Sequence, residues 1–253
     1  MIANYHTHTF RCGHARGTER EYVETAIARG VKILGFADHA PHVYLGGYES
    51  KVRMSMNLLE NYVDTVNGLK KEYTNDIEIH LGLEAEYYPD YFESLLKCVE
   101  DYKIEYLLLG QHYLGNEIGE PYITQPKDDT ELLIRYCRQV TEAMETGVFA
   151  YFAHPDVIRD MGEPEIFTKE MRKLCQNANR CGLMLEINLL GIRDNRHYPN
   201  EAFWKIAGEE GCRVILGADA HAPEDVCRTH DIARAHKLVE KYNLKLVDTI
   251  TLG

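Results

Sequence analysis

The 253-residue chain has no run of about 18 apolar residues, and its start lacks the basic, apolar and small-residue succession of a secretory leader. Neither a membrane span nor export is expected. Basic residues are comparatively scarce: 28 Lys and Arg face 40 Asp and Glu, for a formal net charge of -12, and no basic stripe forms. Phosphate backbones attract clustered cations, so no nucleic-acid partner is expected. The seven cysteines (Cys12, Cys98, Cys137, Cys175, Cys181, Cys212 and Cys227) contain no C-x-x-C spacing, and a chain of this size does not need disulfides. They read as reduced thiols of a cytoplasmic protein. The eight prolines and nineteen glycines are spread out rather than gathered in a linker, and no internal repeat is visible, so residues 1–253 read as one domain. Oligomeric state is not legible.

What the chain does have is a rhythm. Thr18 and Glu21 form a capping-box signature, apolar residues recur at Tyr22, Val23, Ala26 and Ile27, and Gly30 closes an amphipathic helix. The short strand V-K-I-L-G-F follows. Further helices are expected at 58–73, 91–99, 128–145, 168–180, 200–210 and from Pro223 onward. They alternate with strands at I-E-I-H-L-G-L, Y-L-L-L-G, V-F-A-Y-F-A, L-M-L-E-I-N and R-V-I-L-G-A. With the opening I-A-N-Y this makes seven strands, an α/β chain with a parallel sheet. A TIM-like barrel and a doubly wound open sheet share that signature.

The placement of polar residues carries the functional reading. His6 and His8 follow the first strand, Asp38 and His39 the second, Glu84 the third, His112 the fourth and His154 the fifth. Glu186 and Asn188 belong to the sixth, Asp219 and His221 to the seventh. Parallel strands of a barrel open their C-terminal ends onto one face, so these residues converge in one mouth. An isolated H-x-H or D-x-H is weak evidence for a metal; their joint placement is much stronger. His80 inside a strand, His197 in a loop, and His230 and His236 on the last helix serve as internal controls, expected to be structural.

With His14, seven histidines join Glu84 and Asp219 in a mostly nitrogen donor set. Such a set suits two to three divalent transition-metal ions (zinc, manganese or iron) rather than calcium or magnesium. Three ions would need roughly twelve to fifteen donor atoms, which leaves room for water and substrate. Adjacent ions can share a hydroxide that attacks a phosphoryl or carbonyl group.

H-T-H-T with C-G-H-A, then F-A-D-H-A-P, G-L-E-A-E, G-Q-H, A-H-P-D-V-I-R, E-I-N-L-L-G-I-R and G-A-D-A-H-A-P resemble the polymerase and histidinol phosphatase (PHP) family. C-G-H-A and the arginine after E-I-N point to its histidinol-phosphate phosphatase branch. The resemblance implies a single distorted (β/α)7 barrel of the TIM-like type over 1–253, with the metal site at the C-terminal ends of the strands. It implies one ion on His6, His8, Glu84 and Asp219, a second on Glu84, His112 and His154, and a third on His14, His39 and His221. Cys12 is left out.

The resemblance also implies hydrolysis of L-histidinol phosphate, a small phosphorylated substrate, to histidinol and phosphate. Arg159 and Arg193 would grip the phosphate with Tyr113 nearby, Glu186 and Asn188 would receive the histidinol, and Asp219 or His221 would protonate the leaving group. Gly110, Gln111 and Ala218 depart from the branch's pattern, and the loop 114–129 is long enough to reshape the mouth; these departures spare every expected metal ligand and bear on the identity of the substrate. Three alternatives stay open: an esterase for a nucleotide or sugar phosphate, a metal-binding module of replication proteins, and a hydrolase of carbonyl groups.

Overall fold

The computed structural model describes residues 1–252. Eight parallel strands pair strictly in chain order: β1 (Ala3–Asn4), β2 (Ile33–His39), β3 (Glu78–Ala85), β4 (Tyr106–Leu109), β5 (Phe149–Phe152), β6 (Met184–Asn188), β7 (Arg213–Gly217) and β8 (Lys245–Leu246). The helices are α1 (Glu19–Ala28), α2 (Met56–Glu72), α3 (Phe92–Tyr102), α4 (Thr130–Glu145), α5 (Pro164–Cys181), α6 (Leu189–Arg193), α7 (Glu201–Glu209) and α8 (Thr229–Lys241). This is the expected TIM-like α/β architecture. All seven expected strands form, and an eighth of two residues is added beside β7. No helix among the described residues is long and apolar enough to cross a membrane.

The local reasons are legible in the elements. Thr18 and Glu21 complete the reciprocal capping box of α1, and Gly30 follows the helix with a left-handed φ of +76°. On α4, the buried residues Leu132, Leu133, Tyr136, Cys137, Val140, Ala143 and Met144 recur at helical spacing and face the sheet side of the fold. Helix α5 starts four residues earlier than the periodicity suggests, because Pro164 sits in the first turn, where its missing N–H costs nothing. The last helix starts at Thr229 rather than Pro223, whose segment Pro223–Asp225 forms only a 3-10 turn.

The sheet curls so that its first and seventh strands meet at the C-terminal end. The amide of His8 donates to the carbonyl of Ala220 (2.9 Å) and that of Ala220 to the carbonyl of His6 (3.2 Å). Asn4 clasps the same seam: its Oδ1 accepts from the amides of His6 (3.2 Å) and Ala218 (3.0 Å), and its Nδ2 donates to Thr7 Oγ1 (2.8 Å). The seam is therefore closed where the histidines emerge.

At the opposite end of the interior, Tyr106 fills the space between strands, its hydroxyl donating to the carbonyls of Tyr5 (2.7 Å) and Phe36 (3.1 Å). Gly35 and Gly82 make room for that ring, and a Cβ at either would collide with it. Gly82→Ala is expected to destabilise the fold by about 1–3 kcal/mol, read as a lowered urea midpoint. An unchanged midpoint would mean that the ring can step aside.

Candidate metal centre and active-site cavity

The strand ends place one carboxylate at the centre of the polar floor. Glu84, near the end of β3 and 1% exposed, has Oε2 at 2.8 Å from His39 Nδ1, 3.5 Å from His8 Nε2 and 3.6 Å from His6 Nε2. Its Oε1 lies 2.7 Å from His154 Nε2. Gly110, at the end of β4, lets this side chain pass, since a Cβ there would overlap the carboxylate. The departure at Gly110 is therefore a fitting of the strand to Glu84. Asp219 Oδ1 lies 3.1 Å from His8 Nε2 and 3.7 Å from His6 Nε2. His154 and Asp219 adopt left-handed φ values of +32° and +45°, costly for side-chain-bearing residues and characteristic of sites where geometry is imposed.

Four sets of three donors drawn from the expected ligands have their ligating atoms within 4.8 Å of one another: His6, His8 and Asp219; His6, Glu84 and His154; His8, His39 and Glu84; and His14, His39 and His221. Each set could hold a metal ion. Glu84 Oε2, Asp219 Oδ1, His8 Nδ1, His154 Nδ1 and His221 Nε2 are buried without a hydrogen-bond partner. Buried polar atoms normally have one, so this donor set fits cations better than it fits itself. His112 is drawn to the edge of the cluster but into none of the sets: its ring lies 4.8 Å from that of His154, and its Nδ1 faces Glu86 Oε1 at 3.2 Å. Cys12, left out by the sequence reading, does fall within one set with His8 and His221, although burial pushes its thiol well above the usual range.

The charge states follow the same layout. Burial alone would raise the carboxyl of Glu84, but His39 and His6 outweigh it and hold the group well below the usual carboxylate range; Asp219 behaves alike beside His6 and His8. Burial opposes a proton on His8, yet Asp219, Asp38 and Glu84 raise it to about 9. His221, buried and repelled by His8, falls to about 3. Its Nδ1 lies 3.1 Å from the carbonyl of Asp219, so that nitrogen carries the hydrogen and Nε2 is left as a bare lone pair. Both directions run against the expected role of Asp219 or His221 in protonating the leaving group.

Three further expectations are overturned. Glu186 and Asn188 do not face the mouth; both lie beneath the cluster, at most 1% exposed. Glu186 Oε2 is bonded to His6 Nδ1 (2.8 Å), and Asn188 Nδ2 spans Glu186 Oε1 (2.7 Å) and Asp219 Oδ2 (3.0 Å), while Asn188 Oδ1 caps α6. They position ligands rather than receive substrate. Arg159 is exposed and outside the cavity, because its backbone is paired with Ile123 and Lys127 in a small bridge that turns the side chain outward. Nor does Asp156 hold it, being bonded to Trp204 Nε1 (2.9 Å) and the amide of Asn200 (2.5 Å).

The cluster floors a cavity of about 650 Å³, walled by Arg193, Tyr113, Arg16, Arg53, Arg196, Tyr122 and Tyr198 among others. Such a volume suits a small organic substrate. Arg193 and Tyr113, both expected near the phosphate, are among the lining residues. The Arg193 guanidinium stands 3.5 Å from Asp225 and from Asp194, with Nη1 unpartnered. Arg16, Arg53, Arg196 and Glu86 were missed. Only Glu86 had a signal, in the second acid of G-L-E-A-E; the arginines come from loops without a motif. Asp38, read only as a strand-end acid, stands 3.5 Å from His8 Nδ1 and accepts from the amide of Thr9 at 3.3 Å. Of the control histidines, His80 is held between Glu105 and Glu78, and His197 by the carbonyl of Val157, all away from the cluster.

A parallel α/β barrel with a carboxylate-bridged imidazole cluster at its strand ends defines a class of metal-dependent enzymes. The PHP domain family model matches residues 4–189, and the chain belongs to that family. A Deinococcus radiodurans protein described as a probable histidinol-phosphatase is 29% identical, over 89% of this chain and 88% of the relative. The histidinol-phosphatase of Bacillus subtilis is 23% identical over 87% and 94%. Among solved structures, a histidinol phosphate phosphatase from Lactococcus lactis, complexed with zinc, L-histidinol and phosphate, aligns with a TM-score of 0.77 at 19% identity, covering 99% of this chain and 97% of that one.

Asp38→Ala and Glu186→Ala, which remove carboxylates behind His8 and His6, are each expected to weaken metal binding by roughly 10- to 100-fold. Competition against a chelator measures this, and unchanged affinity would show that the rings hold their own orientation.

Proposed function

We propose that this chain, as one barrel domain over 1–253, hydrolyses L-histidinol phosphate to L-histidinol and phosphate in the cytoplasm. The observation that carries the reading is a single cavity joining a buried cation-binding floor to Arg193, whose guanidinium keeps a donor unspent. Membership of the PHP family and relatives described as histidinol-phosphatases support the choice of ester. The Lactococcus lactis protein's binding of zinc, histidinol and phosphate supports it further.

His6, His8, Glu84, Asp219 and His154 would hold two ions, and His14, His39 and His221 a third, with His112 at the edge of the second. Zinc, manganese and iron all suit this donor set. Divalent ions there supply Lewis acidity and an acidified water. The chain's own residues do the rest. Arg193 neutralises charge on the equatorial phosphoryl oxygens and orients them. Tyr113, Tyr122 and Tyr198 line the cavity, Glu186 fixes the tautomer of His6, and Asp38 stands behind His8.

Metal-replete protein is expected to release phosphate from histidinol phosphate faster than from nucleotide or sugar phosphates, and a chelator should abolish the release. Rapid cleavage of the other esters alone would overturn the substrate. Elemental analysis is expected to find two to three ions per chain. Arg193→Ala should lower kcat/KM about 100-fold with metal content unchanged, whereas Arg159→Ala, on an exposed side chain, should leave it nearly intact. The opposite ranking would refute the placement of the phosphate.

A further inference from the structure

The cavity is lined by Arg16, Arg53, Arg193 and Arg196, and by Glu86, Tyr113 and Tyr122. Arg53 is the unusual member. It follows the 3-10 turn Leu45–Gly47, is 5% exposed, and has two edges pinned by carboxylates: Nε donates to Glu117 Oε2 (2.7 Å) and Nη2 to Glu86 Oε1 (2.8 Å). Its Nη1 is buried and has no partner. An unspent donor on a buried guanidinium is costly unless something accepts from it.

The flanking charges say what that acceptor is. Glu86 and Glu117 each accept a hydrogen bond from Arg53, so two carboxylates flank one guanidinium. Two carboxylates against one guanidinium leave the patch net negative, which repels a phosphate dianion and tolerates a neutral or cationic group. The lone pairs of Glu86 are already engaged by Arg53, His112 Nδ1, the Tyr88 hydroxyl and the Tyr113 amide, so Arg53 is the free hydrogen-bonding group of this set. The amide of Tyr113 bonds Glu86, and the Tyr113 ring lies 5.3 Å from that of Tyr122, which also lines the cavity.

We propose that Arg53 is a specificity-determining residue, whose Nη1 donates to a neutral acceptor atom on the alcohol half of the phosphate ester, while Arg193 takes the phosphate. Resting on the proposed function, that acceptor is a ring nitrogen of histidinol's imidazole. Glu117 is a positioning residue. It comes from the long loop 114–129 and accepts from Tyr44, Tyr48, Ser50 and Arg53 together, tying the two rim segments into one wall and fixing the direction of the guanidinium.

The test uses metal-replete full-length protein and two esters, histidinol phosphate and phenyl phosphate, which has no acceptor on its ring. Arg53→Met is expected to lose 10- to 100-fold in kcat/KM on histidinol phosphate, the weight of one hydrogen bond from a charged donor. On phenyl phosphate it should lose less than about threefold, and inhibition by inorganic phosphate should not change. Glu117→Gln, which retains the shape of the clamp, should show the same selective loss in milder form, chiefly in KM. Equal losses on both esters in both variants, or weakened phosphate inhibition, would overturn the role of Arg53 and leave the proposed function standing. A wild-type protein that cleaves phenyl phosphate but not histidinol phosphate would overturn the proposed function, and the imidazole acceptor with it.

Discussion

The structure turns on a buried carboxylate that must not be left alone. Glu84 lies at the heart of the barrel, and an isolated carboxylate there would be strongly disfavoured. Four imidazoles surround it, from strand ends 1, 2 and 5. The rest of the floor follows from bringing them there. Gly110 gives up its side chain for the Glu84 carboxylate, and Gly217 does the same for Glu186. His154 and Asp219 accept left-handed backbone, and Asn4 clasps the seam between the first and seventh strands from which His6, His8 and Asp219 project.

Behind and beside that floor lies a supporting layer of charge. Arg11, 5% exposed, donates to Thr9 Oγ1 at 3.2 Å and to Asn61 Oδ1 at 2.7 Å, and is paired with Glu19. Thr9 in turn bonds Asp38, which stands behind His8. Glu86 links Arg53 to His112 in the same way. Buried ion pairs add little net stability, since desolvation offsets much of their attraction. Their worth here is directional: each link limits the rotation of a ring whose orientation decides which nitrogen it presents.

The floor was legible in the sequence because it obeys a rule of position. Each expected ligand except His14 lies at or just past a strand end, and strands announce themselves by composition. Burial within a shared mouth was harder to read. Glu186 and Asn188 have the period-two spacing that puts them on one face, but spacing does not say how deep that face lies, and both are sealed below the imidazoles. Arg159 was misplaced because five residues past a histidine is a distance along the chain, and the backbone pairing of 159–161 with 123–127 spends it on a turn. Helix α6 and β8 escaped for a related reason: five and two residues are too few to establish a period. Arg53 and Glu117 sit in loops 64 residues apart whose meeting no local pattern announces.

The division between legible and illegible residues follows a division in the protein itself. Floor residues ride on strands, where one side chain's direction fixes the next and a shift of one position would turn a ligand to the other face. The rim is built from loops joined by side chains alone: Glu117 binds the 44–53 segment through four donors without a backbone ladder. Such a wall can be rebuilt by changing a few residues without moving a strand. On this architecture the phosphate-facing chemistry and the reading of the alcohol are separable. A cavity that keeps its imidazole floor can change its ester by exchanging the clamp that aims Arg53, which is why the long loop, rather than the histidines, is where selectivity among phosphate esters is to be sought.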